Sequence, residues 1–344
     1  MNLVELECVD PVACKGWDEI VLSMSHYTFF HTSHWAKVLH HAYSYTPHYL
    51  IGRENSGVSF VIPLMLVPSR LTGRRMVSLP FTDFCPPLGN LTADGIDRVL
   101  ARIDEFHVKS VEWRGGREYF GNHPSSTRYL QHLLPLTPDT DSLYNSFRSN
   151  TKRNIKKALS QNLEIVFDNS DKTLMDFYTL NCLTRRKHGL PPQPRYFFEA
   201  IRHFILEKGL GSIVAARYNH RTVASAVYFH FGNRVIYKYG ASDMSYQHLR
   251  ANNLVMWDAI QHYAKEGYAL FDFGKTEVLN EGLRDFKLGW GTEEKEIYYY
   301  KYDFRLKEFV TEQNKEQGWY NVLFRNLPMP VLKLSGKLLY PHVA

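Results

Sequence analysis

The sequence predicts an α/β protein with mixed sheets, built by tandem duplication of one structural unit. Alternating strand-like runs and amphipathic helices follow one another along the 344 residues. The order helix, strand, hairpin, helix, strand, strand occurs twice, with 52–55 aligned to 216–219 and 111–115 aligned to 271–275. A repeat of this length indicates a duplicated domain, and a chain of this size accommodates about two domains.

The first half, residues 1–138, is predicted to form an N-terminal domain. Its first helix covers 33–42, with Ser33 as the N-cap, and a second amphipathic helix covers 95–107. The predicted strands are 49–53, 58–67, 76–80, 108–113 and 128–135.

The second half, residues 139–310, is predicted to repeat this plan. It begins with a basic linking helix over 141–161, and a helix over 171–188 ends in Arg185-Arg186-Lys187-His188. Basic residues at the end of a helix suit its dipole, so this run has an ordinary structural explanation. The remaining predictions are helices over 195–207 and 252–265 and strands over 212–217, 223–231, 234–239, 269–273 and 296–302.

Residues 311–344 are predicted to form a tail with a short amphipathic helix. No acidic residue follows Glu316, and Val331, Leu334 and Leu338 can share one helical face. Two interpretations remain open: the helix packs on the protein's own surface, or it is a weak peripheral anchor on a membrane.

Composition indicates an ordinary globular protein, with 44% hydrophobic and 22% charged residues. The longest apolar run, 61–67, is far shorter than the ~20 residues that a membrane span needs, and the N-terminus does not resemble a signal peptide. The four cysteines form no C-x-x-C pair, which favours reduced thiols in a cytoplasmic protein.

Lys238 is a candidate site residue because it lies within an apolar predicted strand. Alternation places it on the face opposite Tyr237 and Tyr239. A buried lysine is costly unless it meets an anion or a carboxylate, and Asp272 on a neighbouring strand is the obvious partner. A structural ion pair and a site residue both remain open.

Arg250-Ala251-Asn252-Asn253 begins the next predicted helix. Free N–H groups beside an arginine make a plausible phosphate-binding corner, although asparagine is also a common N-cap. The following strand ends in Asp272-Phe273-Gly274-Lys275-Thr276, and polar residues beyond strand ends are typical of ligand sites in open α/β sheets.

Several chemistries lack their sequence signatures. There is no G-x-S-x-G elbow, Walker A loop or dinucleotide-binding glycine motif. The histidines at 31, 34, 40 and 41 have no second cluster with ligand spacing. We therefore expect no metal and no tightly bound cofactor.

Five motifs resemble those of the FemAB-type transferases, and more closely their bacterial relatives with a BioF2-like acetyltransferase domain, often encoded with exopolysaccharide systems. The resemblance extends from about Trp35 to Tyr302. The motifs are Phe147-x-x-Asn150-x-x-Arg153-x-Ile155-Lys156-Lys157-Ala158, Tyr237-Lys238-Tyr239-Gly240-Ala241-Ser242, Asn252-Asn253-Leu254, Phe271-Asp272-Phe273-Gly274 and Phe286-Lys287-x-Gly289-Trp290-Gly291.

The resemblance implies two GNAT-like (acyl-CoA N-acyltransferase) domains that move an acyl or aminoacyl group from acyl-CoA or aminoacyl-tRNA onto an amine. It makes Lys287 a candidate for stabilising charge at the reacting carbonyl. We expect Lys238 to assist and Asp272 to act as general base or orienting group. The expected donor- or substrate-binding residues are Arg153, Tyr239, Ser242, Arg250, Asn252, Asn253, Lys275, Thr276 and Trp290.

Two departures from the family leave the donor open. The pyrophosphate loop of acetyl-CoA-using enzymes is not reproduced at 249–253, and the coiled-coil arm of the tRNA-using cell-wall enzymes has no counterpart. The expected acceptor is an amine on a small molecule, saccharide or peptide, in cell-envelope or exopolysaccharide synthesis. The alternative is a non-catalytic nucleic-acid or RNA-binding protein that uses the basic residues of 148–157, although a basic helix can simply be solvated.

Overall fold

The computed structural model describes residues 5–54, 57–312 and 318–343, and the chain divides into two compact units. The first unit consists of Met1–Tyr129, Glu296–Asn314 and Leu339–Ala344, and the second of Leu130–Lys295 and Lys315–Leu338. The units thus interleave along the chain, whereas the sequence pattern divides it at residues 138 and 310. None of the helices in the described ranges is long and apolar enough to span a membrane.

The first unit combines short helices with two sheets. Its helices are α1 (Trp17–Ser23), α2 (Ser33–Tyr43), α3 (Ala93–Asp104) and α4 (Arg117–Phe120). Its strands are β1 (Glu5–Val9), β2 (Thr46–Pro47), β3 (Tyr49–Glu54), β4 (Gly57–Ile62), β5 (Met65–Ser69), β6 (Gly73–Val77), β7 (Leu88–Gly89) and β8 (Ser110–Arg114). The N-cap of α2 is Thr32 rather than the predicted Ser33, because the Thr32 side chain accepts the Trp35 N–H.

Pro63 divides a segment that the sequence pattern predicts as one strand. The predicted strand 58–67 is two strands in different sheets, with β4 in the order β1-β3-β4-β7 and β5 in the order β8-β6-β5-β2. Proline has no N–H to donate to a ladder, so the pairing ends there. Val99 and Ile103 of α3 pack into the core with Trp113 of β8.

The second unit contains the longer helices. These are α5 (Thr140–Ser146), α6 (Ser149–Leu159), α7 (Asp171–Lys187), α8 (Arg195–Phe204), α9 (Ala251–Lys265), α10 (Glu281–Leu288), α11 (Trp319–Asn326) and α12 (Met329–Leu339). The remaining strands are β9 (Thr127–Pro135), β10 (Glu164–Phe167), β11 (Gly211–Tyr218), β12 (Arg221–Phe231), β13 (Arg234–Ser242), β14 (Leu270–Glu277), β15 (Glu293–Asp303) and β16 (Glu308–Phe309). β9 and β15 contribute residues to both units, and β16 belongs to the first.

The sheet of the second unit has the order β10-β11-β12-β13-β14-β9. Its pairs from β10 to β13 are antiparallel, and β13 pairs with β14 in parallel. Ten of the fifteen residues of α9 are buried, and eight of them belong to the core that contains Tyr228, Phe271 and Trp290. The helix α9, which joins the parallel strands, therefore supplies much of the core of the second unit.

Phe147 and Arg148 divide the predicted basic helix 141–161 into α5 and α6. Both residues are extended, with ψ of 149° and 153°. The Phe147 ring packs 5.1 Å from the Trp290 ring, and the Arg148 N–H donates to the Gly289 carbonyl at 3.0 Å. These tertiary contacts override the local helical pattern.

The two units repeat the same order of elements. The first unit has α2, β3, β4 with β5, β6, α3 and β8, and the second has α8, β11, β12, β13, α9 and β14. In each unit two parallel strands flank a helix, β6 and β8 around α3 and β13 and β14 around α9. The predicted duplicated α/β architecture with mixed sheets is confirmed.

Candidate functional site

The candidate site lies in the second unit, where the parallel strands β13 and β14 part. Their ladder joins only Arg234–Ile236 to Leu270–Asp272, although β13 continues to Ser242 and β14 to Glu277. Beyond the ladder the two strands no longer pair with each other. Open α/β sheets bind their ligands at such strand ends.

Lys238 is the extra residue of a β-bulge in β13. On β12, Val227 faces Tyr239 and Tyr228 faces Tyr237, so Lys238 is inserted between two ladder positions. The strict alternation predicted from the sequence is wrong here. Tyr239 packs against α8, whereas Tyr237 packs 5.7 Å from Tyr228, in the core that α9 covers.

The bulge brings a lysine and two tyrosines to one short stretch of strand. Lys238 is half-buried, and its Nζ lies 5.4 Å from the Tyr239 ring centroid. A Cβ at Gly240 would clash with the Tyr237 hydroxyl, so only glycine allows this ring to lie against the strand. Burial raises the pKa of Tyr237 to about 12.

Gly274, near the end of β14, links Asp272 and Lys287. The Asp272 carboxylate accepts hydrogen bonds from Gln131 Nε2 at 2.6 Å and from the Gly274 N–H at 2.7 Å. Lys287, on α10, is only 2% exposed, and its Nζ donates to the carbonyls of Gly274 at 2.8 Å and Lys275 at 3.0 Å. Two of the predicted catalytic residues thus bind the same turn of backbone.

The glycines of the Phe286–Gly291 motif fix the end of α10. A Cβ at Gly289 would clash with Thr151 of α6, and Gly291 has a φ of 69°, which favours glycine. The helix begins at Asn280, whose Oδ1 accepts the Leu283 N–H at 3.2 Å. The motif therefore places Lys287 by close packing.

His132, a fully buried histidine on β9, was missed by the sequence analysis. Its Nε2 lies 3.0 Å from Glu294, and Arg284 donates two hydrogen bonds to the same carboxylate, at 2.7 and 2.6 Å. Burial lowers the pKa of His132, and the positive charge of Lys287 lowers it further. No spacing in the sequence connects these four residues, which span 132 to 294.

Ser242, Arg250, Asn252 and Asn253 lie together between β13 and α9, where they line a cavity of about 200 Å³. Asn252 Nδ2 donates to Ser242 Oγ at 3.0 Å. Arg250 has a φ of 58° and directly precedes α9, which has no side-chain cap. Its Nε is buried and has no hydrogen-bond acceptor within the described residues.

A larger cavity of about 640 Å³ shares Ser242 and Asn252 with the smaller one. Its walls come from α7, β12, β13, α9, α10 and α11. Tyr237, Met256 and Phe286 supply apolar surface, so the lining combines apolar walls with a few polar groups. A volume of this size is typical of small-molecule sites.

One edge of the larger cavity is positively charged. Arg186 and Lys187 come from the last turn of α7, His188 follows them, and Arg325 comes from α11. For Arg186, Lys187 and Arg325, the described ranges contain no carboxylate at ion-pair distance. Asp243, which also lines the cavity, already pairs with Arg221 at 2.9 Å.

The pKa of His188 lies below its ordinary value. Burial lowers it, and the charges of Lys187, Arg185 and Arg325 lower it further. The sequence analysis explained the run at 185–188 by the helix dipole alone. The basic run at 185–188 could have indicated an anion site from the sequence. The sequence did not show that the end of α7 lies near Arg325 of α11.

The other predicted site residues, the three catalytic candidates included, do not line either of these two cavities. Trp290 is fully buried, and its ring is surrounded by Phe147, Phe273 and Phe286. The sequence predicted that Trp290 binds the donor or substrate directly, whereas its side chain packs in the core. Tyr239 packs against α7 and α8, Thr276 is buried on β14, Lys275 contributes its carbonyl to Lys287, and Arg153 is exposed on α6.

All four cysteines are free, and two of them are buried. The described part of the chain contains no group of three histidine, cysteine or acidic side chains that could bind a metal ion.

Comparison with known proteins connects this geometry with a family. Residues 145–302 match the family model described as an acetyltransferase (GNAT) domain. A curated relative, the UDP-N-acetylmuramoylpentapeptide-lysine N(6)-alanyltransferase of Weissella viridescens, is 24% identical over 171 residues. That alignment covers 48% of this chain and 50% of the relative, so the match spans about half the length of the relative.

Two solved structures share the fold. FemX has a TM-score of 0.69 and 13% identity, covering 88% of this chain and 98% of FemX. A tandem GNAT protein from the clavulanic acid biosynthesis pathway has a TM-score of 0.56 and 10% identity, with the same coverage of 88% and 98%. The resemblance to FemAB-type transferases read from the motifs is confirmed, and the match to the acetyltransferase (GNAT) domain model over residues 145–302 includes the β13 bulge and Lys287.

Proposed function

We propose that the protein is an N-acyltransferase that moves an acyl or aminoacyl group onto an amine. The observation that carries this proposal is the opening between β13 and β14, with a bulge on one strand and a buried lysine of α10 bound to the backbone near the end of the other. A cavity of about 640 Å³ is lined by other residues of β13 and α10. The family of residues 145–302 supports the same reaction class. The donor is acyl-CoA or aminoacyl-tRNA.

The proposed reaction is direct attack of the acceptor amine on the donor's thioester or ester carbonyl. The new C–N bond forms as the C–S or C–O bond breaks. The sulfur or oxygen leaves with the bonding electron pair and takes up a proton, and the attacking amine loses one. Positioning and stabilisation of the developing oxyanion then supply most of the rate enhancement. Lys287 is the proposed main stabiliser, because a buried charge acts strongly in a low-dielectric site, and Lys238 is the second.

Asp272 is the proposed general base or orienting group. Its hydrogen bonds from Gln131 and Gly274 fix its position near the strand opening. An ionised carboxylate there can receive the proton of the attacking amine, directly or through a water molecule.

The charged edge of the cavity favours a substrate that carries phosphate. Arg186, Lys187 and Arg325 repel one another unless an anion lies between them, and guanidinium groups match phosphate geometry. Arg250, Asn252 and Ser242 could bind a second phosphate at the start of α9. Both the CoA portion of a donor and a nucleotide-linked acceptor have this chemistry.

The acceptor proposed here is a peptide or saccharide amine used in cell-envelope or exopolysaccharide synthesis. The name of the Weissella viridescens relative describes transfer of an alanyl group to a lysine amine of a nucleotide-linked pentapeptide. An anionic cavity ligand and an amine acceptor suit such a substrate class.

The test measures acyl transfer with acetyl-CoA and with aminoacyl-tRNA as donors and with amine-bearing peptides and amino sugars as acceptors. We expect Lys287→Met to lower turnover ~10²-fold or more, on the scale of losing one oxyanion-stabilising group, because it keeps most of the side-chain volume but removes the charge. Lys287→Ala should lower turnover at least as far. Lys295→Ala, on an exposed lysine of β15, is the matched control and should leave turnover unchanged.

Unchanged turnover in a folded Lys287→Met protein would assign Lys287 a structural role only. Absence of transfer from either donor, although the donors bind, would contradict the proposed activity as a whole.

A second candidate function is nucleic-acid binding without catalysis. Arg153, Lys156 and Lys157 are exposed on α6, and within the described residues none of them pairs with a carboxylate. Binding of RNA that weakens steeply with salt, together with no acyl transfer, would favour this function. Tight binding of an acyl-CoA in the cavity would argue against it.

A further inference from the structure

The C-terminal helices present an apolar surface to solvent. Seven of the fifteen large hydrophobic side chains exposed in the described residues lie between 318 and 343. On α12, Val331, Leu334 and Leu338 are 45%, 55% and 62% exposed. Their spacing of three and four residues places them on one face of the helix.

The opposite face of α12 is the one that packs on the protein. Leu332 and Gly336 are buried, and a Cβ at Gly336 would clash with the Pro192 carbonyl. Lys333 lies over the Tyr178 ring, with its Nζ 5.2 Å from the ring centroid. The helix α12 therefore packs on the protein through the face that carries Leu332 and Gly336. The opposite face, with Val331, Leu334 and Leu338, stays exposed to solvent.

The charge of the same segment has one sign. Arg325, Lys333 and Lys337 are its charged residues, and no acidic residue follows Glu316. Lys337 is exposed next to Leu338, and Val322 and Leu323 of α11 add exposed apolar side chains. Apolar side chains combined with cations suit a bilayer that contains anionic lipid. Binding of a helix at the membrane surface strengthens with the apolar area that it buries and with its attraction to anionic headgroups.

We propose that the α12 face of Val331, Leu334, Leu338 and Lys337 binds the surface of an anionic lipid bilayer. The apolar side chains enter the boundary between headgroups and acyl chains, while Lys337 meets the anionic headgroups. Lipid binding is measured without any acyl transfer, so its result is independent of the proposed activity.

The experiment is sedimentation of the full-length protein with phosphatidylcholine vesicles, with and without about 30 mol % phosphatidylglycerol. We expect the protein to pellet with the anionic vesicles, and pelleting to weaken with added salt. The variant Val331→Ser/Leu334→Ser/Leu338→Ser should lower the bound fraction at least ~5-fold, and Lys337→Glu should also lower it.

The matched control is Leu71→Ser/Leu159→Ser/Leu306→Ser, which changes three leucines that are 68%, 62% and 58% exposed elsewhere on the chain. It should pellet like the unchanged protein. Because all six positions are exposed, thermal melting should show every variant folded.

Three results would overturn the proposal: no pelleting with anionic vesicles at low salt, equal pelleting of the α12 variant, or equal loss in the control. Light scattering after size-exclusion chromatography provides a fourth, independent result. A dimer that the α12 variant converts to a monomer would assign the face to a second copy of the chain instead.

Discussion

At the scale of single residues, the site depends on buried polar groups whose partners are distant in the sequence. His132 contacts Glu294, and Lys287 binds the backbone of Gly274 and Lys275. Each polar group is removed from water on folding, and its hydrogen bond offsets the lost hydration. The loss of one partner therefore leaves the other group buried without a hydrogen bond.

We expect the free energy of unfolding to increase between pH 5 and pH 7. Burial is the first cause that lowers the pKa values of His48, His132, His188 and His230. Below about pH 6.5 the unfolded chain therefore binds more protons than the folded chain, and stability is lost as the pH falls. Urea unfolding at several pH values measures this slope.

The histidine variant His132→Gln should flatten that slope, because glutamine can still bond to Glu294 but does not titrate. His248→Gln, at an exposed position before α9, is the control and should keep the slope of the unchanged protein. If His132→Gln leaves the slope unaltered, His132 does not contribute to the pH dependence of the free energy of unfolding.

At the scale of elements, the site is formed where secondary structure is interrupted. The bulge at Lys238 separates Tyr237 from Tyr239 onto different faces, and the short ladder between β13 and β14 opens the sheet. The ends of α7 and α11 then bring Arg186, Lys187 and Arg325 to one cavity edge.

The convergence of these two helices predicts anion binding. ADP and tripolyphosphate should bind the protein, and Arg186→Ala and Arg325→Ala should each weaken binding about tenfold, the effect of losing one charge-assisted hydrogen bond. Lys172→Ala, at the opposite end of α7, is the matched control and should bind normally. Isothermal titration calorimetry measures the affinities, and equal affinity in all three variants would contradict an anion site at this edge.

At the scale of the whole molecule, the two units interleave along the chain. The second unit includes residues 130–135 of β9, which supply Gln131 to Asp272 and His132 to Glu294. A cut at the sequence-predicted boundary of residue 138 would remove both partners.

We therefore expect a fragment of residues 139–344 to lack a cooperative thermal transition, whereas a fragment of residues 126–344 should be measurably more stable. The reason is that the shorter fragment exposes one edge of β14 and leaves the Asp272 and Glu294 carboxylates without these donors. Circular dichroism during heating makes the comparison, and identical transitions for both fragments would show that β9 is not needed by the second unit.

The sequence by itself determined the local features of this protein. Helical and strand periodicities predicted most elements near their observed bounds, and their repeated order predicted the duplication. The motif at 286–291 contributed to the resemblance to FemAB-type transferases, because its lysine and glycines lie within six consecutive residues at the end of one helix.

Only the tertiary structure decided which distant residues meet. It placed the bulge at Lys238, interrupted the basic helix at Phe147, buried His132 beside Glu294 and turned the apolar stripe of α12 toward solvent. Periodicity tells which face of an element is apolar, but not which neighbour covers that face. For Phe147, His132 and α12, that outcome depends on packing between segments more than a hundred residues apart, which no local pattern contains.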